Sequence, residues 1–265
     1  MKNSKSVILK RQQELLSLLK SRENIDVVEL AKELSVSPTT IRRDLNVFEE
    51  QHLVSRFHGG AKLIKDTLLL DEDAPSIVSA PLVDGEQKHA IARYAATLID
   101  DGDTIFMNSS STTLLLLDYI RNKRVIIVTS CGDCLNYPHD DKVSIILTGG
   151  EIHRRHSLVG DFALNTLSKI MADKTFLGVG GLSVRCGLTT SVLAETAVNE
   201  MMLRRCNGKK YVLAATRKIG LEHNFLSAAI DRIDTVITCK GARKDEVDNL
   251  RSNGISVVEL DSNVF

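Results

Sequence analysis

Nothing in this sequence approaches the roughly 20 consecutive apolar residues that a helix needs to cross a bilayer. The opening Met1-Lys2-Asn3-Ser4-Lys5 runs into an amphipathic pattern and lacks the apolar core of a signal peptide. These two absences place the chain in the cytoplasm and away from the membrane. No internal repeat or low-complexity tract stands out. Cysteine is sparse, with five in 265 residues. Cys186, Cys206 and Cys239 stand singly, and Cys131-Gly132-Asp133-Cys134 has no second pair. His139, His153 and His156 follow at no familiar metal spacing. Reduced thiols that serve packing are the expected reading, with a metal or redox role for the pair as the lesser alternative. No metal and no cofactor is implied.

Net charge is also missing, with 34 Lys and Arg against 34 Asp and Glu. The balance hides an asymmetry. Residues 1–65 carry twelve positive and eight negative side chains, and the remainder carries 22 and 26. A basic head on an acidic body suits a head that holds a polyanion through contacts that salt weakens. At 43% hydrophobic and 26% charged residues, the chain has the composition of one large or two unequal globular domains.

Within the head, one stretch stands out. Ser37 suits an N-cap and Pro38 the first helical position, where a missing N–H costs little. Ile41, Leu45 and Phe48 recur at helical spacing and predict a core face. Thr39, Thr40, Arg42 and Arg43 are left pointing outward from the start of that helix. Upstream, Val27, Val28, Leu30, Ala31 and Leu34 form the apolar positions of another helix, and 6–19 reads as a first one. The short link 35–37 fits a helix-turn-helix, whose second helix lies in the major groove of double-stranded DNA. An ordinary helix pair with a solvated arginine face is the competing reading. The segment 53–63 alternates and carries Gly59-Gly60, so it reads as a small hairpin, or wing, with Arg56, His58 and Lys62 free to reach a phosphate backbone.

Val36-Ser37, Thr40-Ile41-Arg42-Arg43-Asp44-Leu45 and His58-Gly59-Gly60, taken in this order, resemble the winged helix-turn-helix of the DeoR family of bacterial transcription regulators. The resemblance extends through Thr148-Gly149-Gly150, Val159-Gly160, 173–178, 187–190, Lys218 and 236–238. It implies Ser37, Thr39, Thr40, Arg42, Arg43, Arg56, His58 and Lys62 as DNA-binding residues.

The expected boundaries are a winged helix-turn-helix domain at 1–65, a linker at 66–86, and an α/β domain for effector sensing and oligomerisation at 87–265. From Gln87 strands and helices alternate. Strands are predicted at 104–107, 125–129, 143–147, 175–179, 210–214, 235–238 and 256–259. Helices are predicted at 89–99, 112–120, 162–171, 194–203 and 246–251. That alternation implies a mostly parallel sheet covered on both faces, which binds ligands beyond the carboxyl ends of its strands. The family's sensor domains are ribose-phosphate-isomerase-like in fold.

After the first of these strands comes Asn108-Ser109-Ser110-Ser111-Thr112-Thr113, leading into a helix. Its hydroxyls and free N–H groups suit an anion, or they are simple N-capping. The resemblance favours the anion, since the family carries Asp-Ser-Gly-Thr-Thr here and binds sugar phosphate with it. It adds Lys218 as a cation for the phosphate. The chain departs from the family at Asn108 (usually Asp), Ser110 (Gly), Ser130 (Asn), Gly180 (an acid) and Ala215 (Asp). Arg154, Arg155 and His156 could replace lost anion contacts or form a solvated basic turn. The function implied is a repressor of a carbohydrate operon, homo-oligomeric on DNA and controlled by a phosphorylated sugar. A sugar-phosphate isomerase with a DNA-binding module is the alternative. It is disfavoured because Gly178-Val179-Gly180-Gly181 lacks the expected acids. Glu195 remains as a carboxylate, read as a solvated residue at a helix start. No catalytic residue is expected.

Overall fold

In the computed structural model, the chain divides into two units, Met1–Val83 and Asp84–Phe265. The structure describes residues 11–12, 14–15, 18–19, 25–50, 54–57, 60–63, 84–153 and 156–262. Of the expected linker, 66–83 lies outside these residues, and Gly85 and Glu86 already open a helix.

In the first unit, strand β1 (Ile25–Asp26) leads into helix α1 (Val27–Glu33), then helix α2 (Pro38–Glu50), strand β2 (Val54–Phe57) and strand β3 (Gly60–Leu63). The strands form an antiparallel sheet in the order β1-β3-β2, so the expected hairpin is present. Asp26 caps α1 by accepting from the N–H groups of Val28 and Glu29. Val27, Leu30 and Ala31 are buried, and Leu34 packs against the same core. Val28, expected among the apolar positions, is 63% exposed. It falls one residue off the i, i+3, i+4, i+7 stripe and points to the opposite side.

The turn between α1 and α2 has a defined chemistry. Ser35 adopts φ 52°, the left-handed conformation usually given to glycine. The Val36 N–H then donates to the Ala31 carbonyl at 2.9 Å and the Ser35 N–H to Lys32 at 3.3 Å. These are the two bonds of a Schellman turn, with Val36 packed back on the core. Leu15, Leu19, Ile41, Leu45, Phe48, Val54 and Ala61 complete that core.

In the second unit, helix α3 (Gly85–Thr97) precedes strand β4 (Thr104–Met107), helix α4 (Ser111–Leu114), strand β5 (Val125–Thr129) and strand β6 (Val143–Leu147). Strands β7 (Glu151–His153) and β8 (Ser157–Val159) form a hairpin before helix α5 (Asp161–Ser168). Then come β9 (Lys174–Gly178), β10 (Gly181–Ser183), β11 (Gly187–Thr190), helix α6 (Leu193–Arg204), β12 (Lys210–Leu213), β13 (Phe225–Ala228), β14 (Thr235–Cys239), helix α7 (Lys244–Ser252) and β15 (Ser256–Leu260).

Seven strands make a sheet in the order β15-β14-β12-β9-β4-β5-β6, and every pairing in it is parallel. Its central strands are buried runs such as Ile105-Phe106-Met107 and Thr175-Phe176-Leu177-Gly178, as helices on both faces require. The chain leaves β4 for β5 and β6, then returns to place β9 on the other side of β4. The order therefore reverses between β4 and β9, and a crevice at their carboxyl ends is the favoured ligand position of such a sheet. The small antiparallel sheet β10-β11-β13 is an addition that the sequence pattern did not predict.

Candidate functional site

The first candidate surface is the start of α2. Ile41, Leu45 and Phe48 are fully buried, so their spacing fixes which side of the helix faces out. Thr39, Arg42 and Arg43 are exposed on that side, and Thr40 is half-buried. Ser37 caps the helix: its hydroxyl accepts the Thr40 N–H at 3.1 Å and shares a 2.8 Å hydrogen bond with the Thr40 hydroxyl. His58 and the side chains of Arg56 and Lys62 lie outside the described residues.

Asp44 sits in the same helix and is 3% exposed. Arg11 grips it with two bonds, Nε to Oδ2 at 2.7 Å and Nη2 to Oδ1 at 3.1 Å, and Gln12 adds a third at 3.2 Å. Bonding to this carboxylate holds the Arg11 guanidinium above its ordinary pKa. A bidentate pair fixes orientation as well as distance. It therefore sets the angle at which α2 presents Arg42 and Arg43.

The second candidate is the crevice between β4 and β9. Asn108, expected to touch a ligand, is 5% exposed and commits its amide to the protein. Its Nδ2 donates to the Gly178 carbonyl at 2.8 Å and to Asn199 Oδ1 at 3.1 Å, and its Oδ1 accepts the Gly178 N–H at 2.9 Å. Asn199 in turn donates to the Ser227 hydroxyl at 3.3 Å. This clasp joins the ends of β4 and β9 to α6 and β13. A carboxylate at 108 could accept from Gly178 but could donate nothing to its carbonyl, so Asn108 and Asn199 are matched.

Ser110 is at φ −139°, ordinary extended backbone, and so needs none of the freedom of the glycine it replaces. Its hydroxyl caps α4 by accepting the Thr112 N–H at 3.2 Å. It also lies where a Cβ on residue 178 would be, 1.9 Å away, so a glycine at 178 makes room for the serine at 110. Thr113 is buried and donates to the Asn108 and Ser110 carbonyls. Helix α4 spans four residues and continues as a 3-10 turn, Leu115–Asp118. Its macrodipole is correspondingly small. Of the expected loop residues, Ser109 and Ser111 are half-buried, and Thr112 is 2% exposed.

Lys218 is 6% exposed and donates from Nζ to the Val179 carbonyl at 2.6 Å. Gly178 meets the serine loop and Val179 meets the lysine, so the two expected parts of the site converge on one strand end. The first turn of α3 adds residues that carried no motif. Gln87 Oε1 accepts the N–H and hydroxyl of Thr216 at 3.0 and 3.1 Å. Asp84 pairs with Arg217, whose burial lowers its pKa. Lys88, next to Gln87, is a lysine only 2% exposed. Its only signal in the sequence is a basic residue inside an otherwise apolar helix face.

Two further readings change. Glu195 is half-buried and accepts the Ser157 hydroxyl, so it is not a solvated helix-start residue. His156 is 9% exposed, so it is not solvated, while Arg154 and Arg155 lie outside the described residues. Among the described residues, no group of three or more His, Cys, Asp or Glu side chains is placed to hold a metal. None of their helices is long and apolar enough to cross a membrane.

Known proteins resemble both units of the chain. A DeoR-like helix-turn-helix domain matches residues 11–67, and a DeoR C terminal sensor domain matches residues 84–240. The chain is 30% identical over 250 residues to the HTH-type transcriptional regulator GolR of Listeria innocua, spanning 93% of this chain and 96% of that one. It is 29% identical to the lactose phosphotransferase system repressor of Streptococcus mutans, over 86% of this chain and 90% of that one. Among solved structures, ribose 5-phosphate isomerase A of Methanocaldococcus jannaschii overlaps 51% of this chain and 54% of its own, with 16% identity and a TM-score of 0.37.

Proposed function

Because the chain belongs to the DeoR family of transcription regulators, we propose that it represses a carbohydrate operon by binding double-stranded DNA and that a phosphorylated sugar in the β4–β9 crevice controls it. The observation that carries this reading is the face of α2. Its apolar stripe is consumed by the core, and Arg42 and Arg43 remain exposed at the helix start. Base edges in the major groove accept paired hydrogen bonds from arginine, and the basic balance of the head adds affinity for phosphates. Ser37 and Thr40 act as the cap that holds the helix end against the backbone of the duplex, and Thr39 contributes a hydroxyl. Arg56, His58 and Lys62 of the hairpin are assigned to phosphates. A single recognition helix reads few bases, so the chain acts as a homo-oligomer on repeated half-sites.

In the crevice, Ser109, Ser111, Thr112 and Lys218 are assigned to the phosphate. Asn108, Ser110 and Thr113 position the loop. The protein is not an enzyme in this reading. Isomerisation needs a base held at the substrate, and Glu195 is engaged by Ser157 while 178–181 supplies no acid. Acting on DNA places it in the cytoplasm. The test is fluorescence anisotropy of the full-length protein on its own upstream DNA, titrated with a panel of sugar phosphates. Specific binding released by one of them supports the reading. Equal affinity for scrambled DNA, or turnover of a pentose phosphate by the same sample, overturns it.

A further inference from the structure

Cys131 and Cys134 follow directly on β5, the neighbour of β4. The Cys134 N–H donates to the Cys131 carbonyl at 3.3 Å, closing a turn. A turn of that kind keeps its first and last Cα atoms within about 7 Å, which overlaps the roughly 4.4–6.8 Å range of a disulfide. Both side chains are buried, at 0% and 1% exposed. The proximity of the thiols is also felt in their titration, since hydrogen bonding between them lowers the Cys131 pKa and raises that of Cys134. Between them in sequence stands Asp133, whose Oδ2 is buried with no hydrogen-bond partner among the described residues.

This turn is tied to the serine loop through one atom. The His156 carbonyl accepts the Gly132 N–H at 2.6 Å and also the Ser109 hydroxyl at 3.5 Å. Gly132 has little slack there, because a Cβ on it would lie 3.2 Å from that same oxygen. Hydrogen bonding from Ser109 is a further cause that lowers the Cys131 pKa. Ser109 is half-buried at the crevice, so the turn and the crevice meet at this residue.

We propose that Cys131 and Cys134 are a redox pair that hydrogen peroxide converts to a disulfide, and that closing the disulfide draws Ser109 out of register and weakens anion binding in the crevice. The second half rests on the crevice reading above, and the first half stands on the turn alone. In the reaction the Cys131 thiolate attacks one peroxide oxygen, the O–O bond breaks and hydroxide leaves, taking up a proton to become water. The Cys134 sulfur then attacks the Cys131 sulfenic acid. The S–S bond forms, the S–O bond breaks, and the leaving hydroxide takes up the Cys134 proton to become water. Two thiols lose two electrons and two protons, and the peroxide becomes two waters.

The experiment treats full-length wild-type protein with hydrogen peroxide and maps its peptides, then measures the thermal shift given by inorganic phosphate before and after. The expected result is a 131–134 disulfide reversed by dithiothreitol, slower oxidation when phosphate is present, and a phosphate shift in the oxidised protein less than half that of the reduced protein. Cys134→Ser should stop at a sulfenic acid on Cys131 that dimedone traps, while Cys206→Ser should still form the disulfide. Thiols that survive peroxide sufficient to oxidise glutathione, or a disulfide joining other cysteines, overturn the redox pair. A 131–134 disulfide with an unchanged phosphate shift overturns the coupling. No phosphate shift in the reduced protein overturns the crevice reading and the coupling with it, while the peptide map still decides the redox pair. That map needs no variant, so a substitution that fails to fold does not affect it.

Discussion

Two short stretches of this chain are near copies in sequence and opposite in use. Ser37-Pro38-Thr39-Thr40 opens α2, and Ser110-Ser111-Thr112-Thr113 opens α4. In each the first serine caps the turn with its hydroxyl. The first leads a helix of 13 residues whose outer face is in water, and the second leads a single buried turn at a strand end. Thr39 is exposed, whereas Thr112 is 2% exposed. One cap therefore serves an open surface, to which the proposed function assigns a polyanion met by long arginines. The other serves an enclosed loop, to which it assigns a small anion met by hydroxyls and Lys218. Capping chemistry does not distinguish them, but burial does.

The contrast can be broken most forcefully at Asp44. Asp44→Ala leaves Arg11, 11% exposed, as an uncompensated cation in the head. The expected cost is about 3–5 kcal/mol, lost from the head alone, with DNA binding abolished and the transition of the 84–265 unit unmoved in calorimetry. A shift of both transitions would show that the units do not melt independently.

On the crevice side, Lys218→Ala removes a charge-assisted contact, and sugar-phosphate affinity should fall roughly 10- to 150-fold, the equivalent of about 1.5–3 kcal/mol. DNA affinity without ligand should stay level, as anisotropy would record. Asn108→Asp restores the residue usual in the family and should nonetheless destabilise the 84–265 unit by about 1–3 kcal/mol, because the Gly178 carbonyl loses its donor. Adding Asn199→Asp should cost more still, and thermal melts of the single and double variants would show it.

At the exposed helix start, Arg42→Ala and Arg43→Ala should each cost about 1–3 kcal/mol on operator DNA and less on scrambled DNA if they read bases. Added salt should weaken DNA binding steeply and sugar-phosphate binding far less. Equal salt slopes would remove the distinction between an open and an enclosed anion site. The smallest effect belongs to Ser35→Gly. Relief of the left-handed conformation should stabilise the head by up to about 1 kcal/mol, read as a rise in its melting temperature with DNA affinity unchanged.

Much of this architecture was legible in the sequence, for identifiable reasons. Strands β4, β5 and β6 fall where their β-branched and aromatic runs predicted, and Pro38 starts α2 as its ring requires. The strands β10, β11 and β13 were not legible, because they are three or four residues long and rich in Gly, Ser and Thr, which carry no alternation. The run Leu114–Leu117 read as part of an ordinary helix. All four leucines are buried, which no single helix face allows, and the chain tightens into a 3-10 turn there. The serine loop was singled out by residue type and position and Lys218 by the family resemblance, and the two meet at the end of one strand, at Gly178 and Val179. The engagement of Asn108 was not legible, since its partners Gly178 and Asn199 lie 70 and 91 residues away. The burial of Asp44 depends in the same way on Arg11, 33 residues upstream.

The Asn108 clasp has a thermodynamic consequence. By tying β4, β9, α6 and β13 together with side-chain amides, it settles the conformational entropy of the crevice floor during folding, before any ligand arrives. Each rotamer-rich side chain that must be immobilised on binding costs roughly 0.5–1.5 kcal/mol, and here that loss has already been met. On the proposed function, a ligand with few contacts could then bind firmly, its affinity set by the handful of hydroxyls and the ammonium assigned to it.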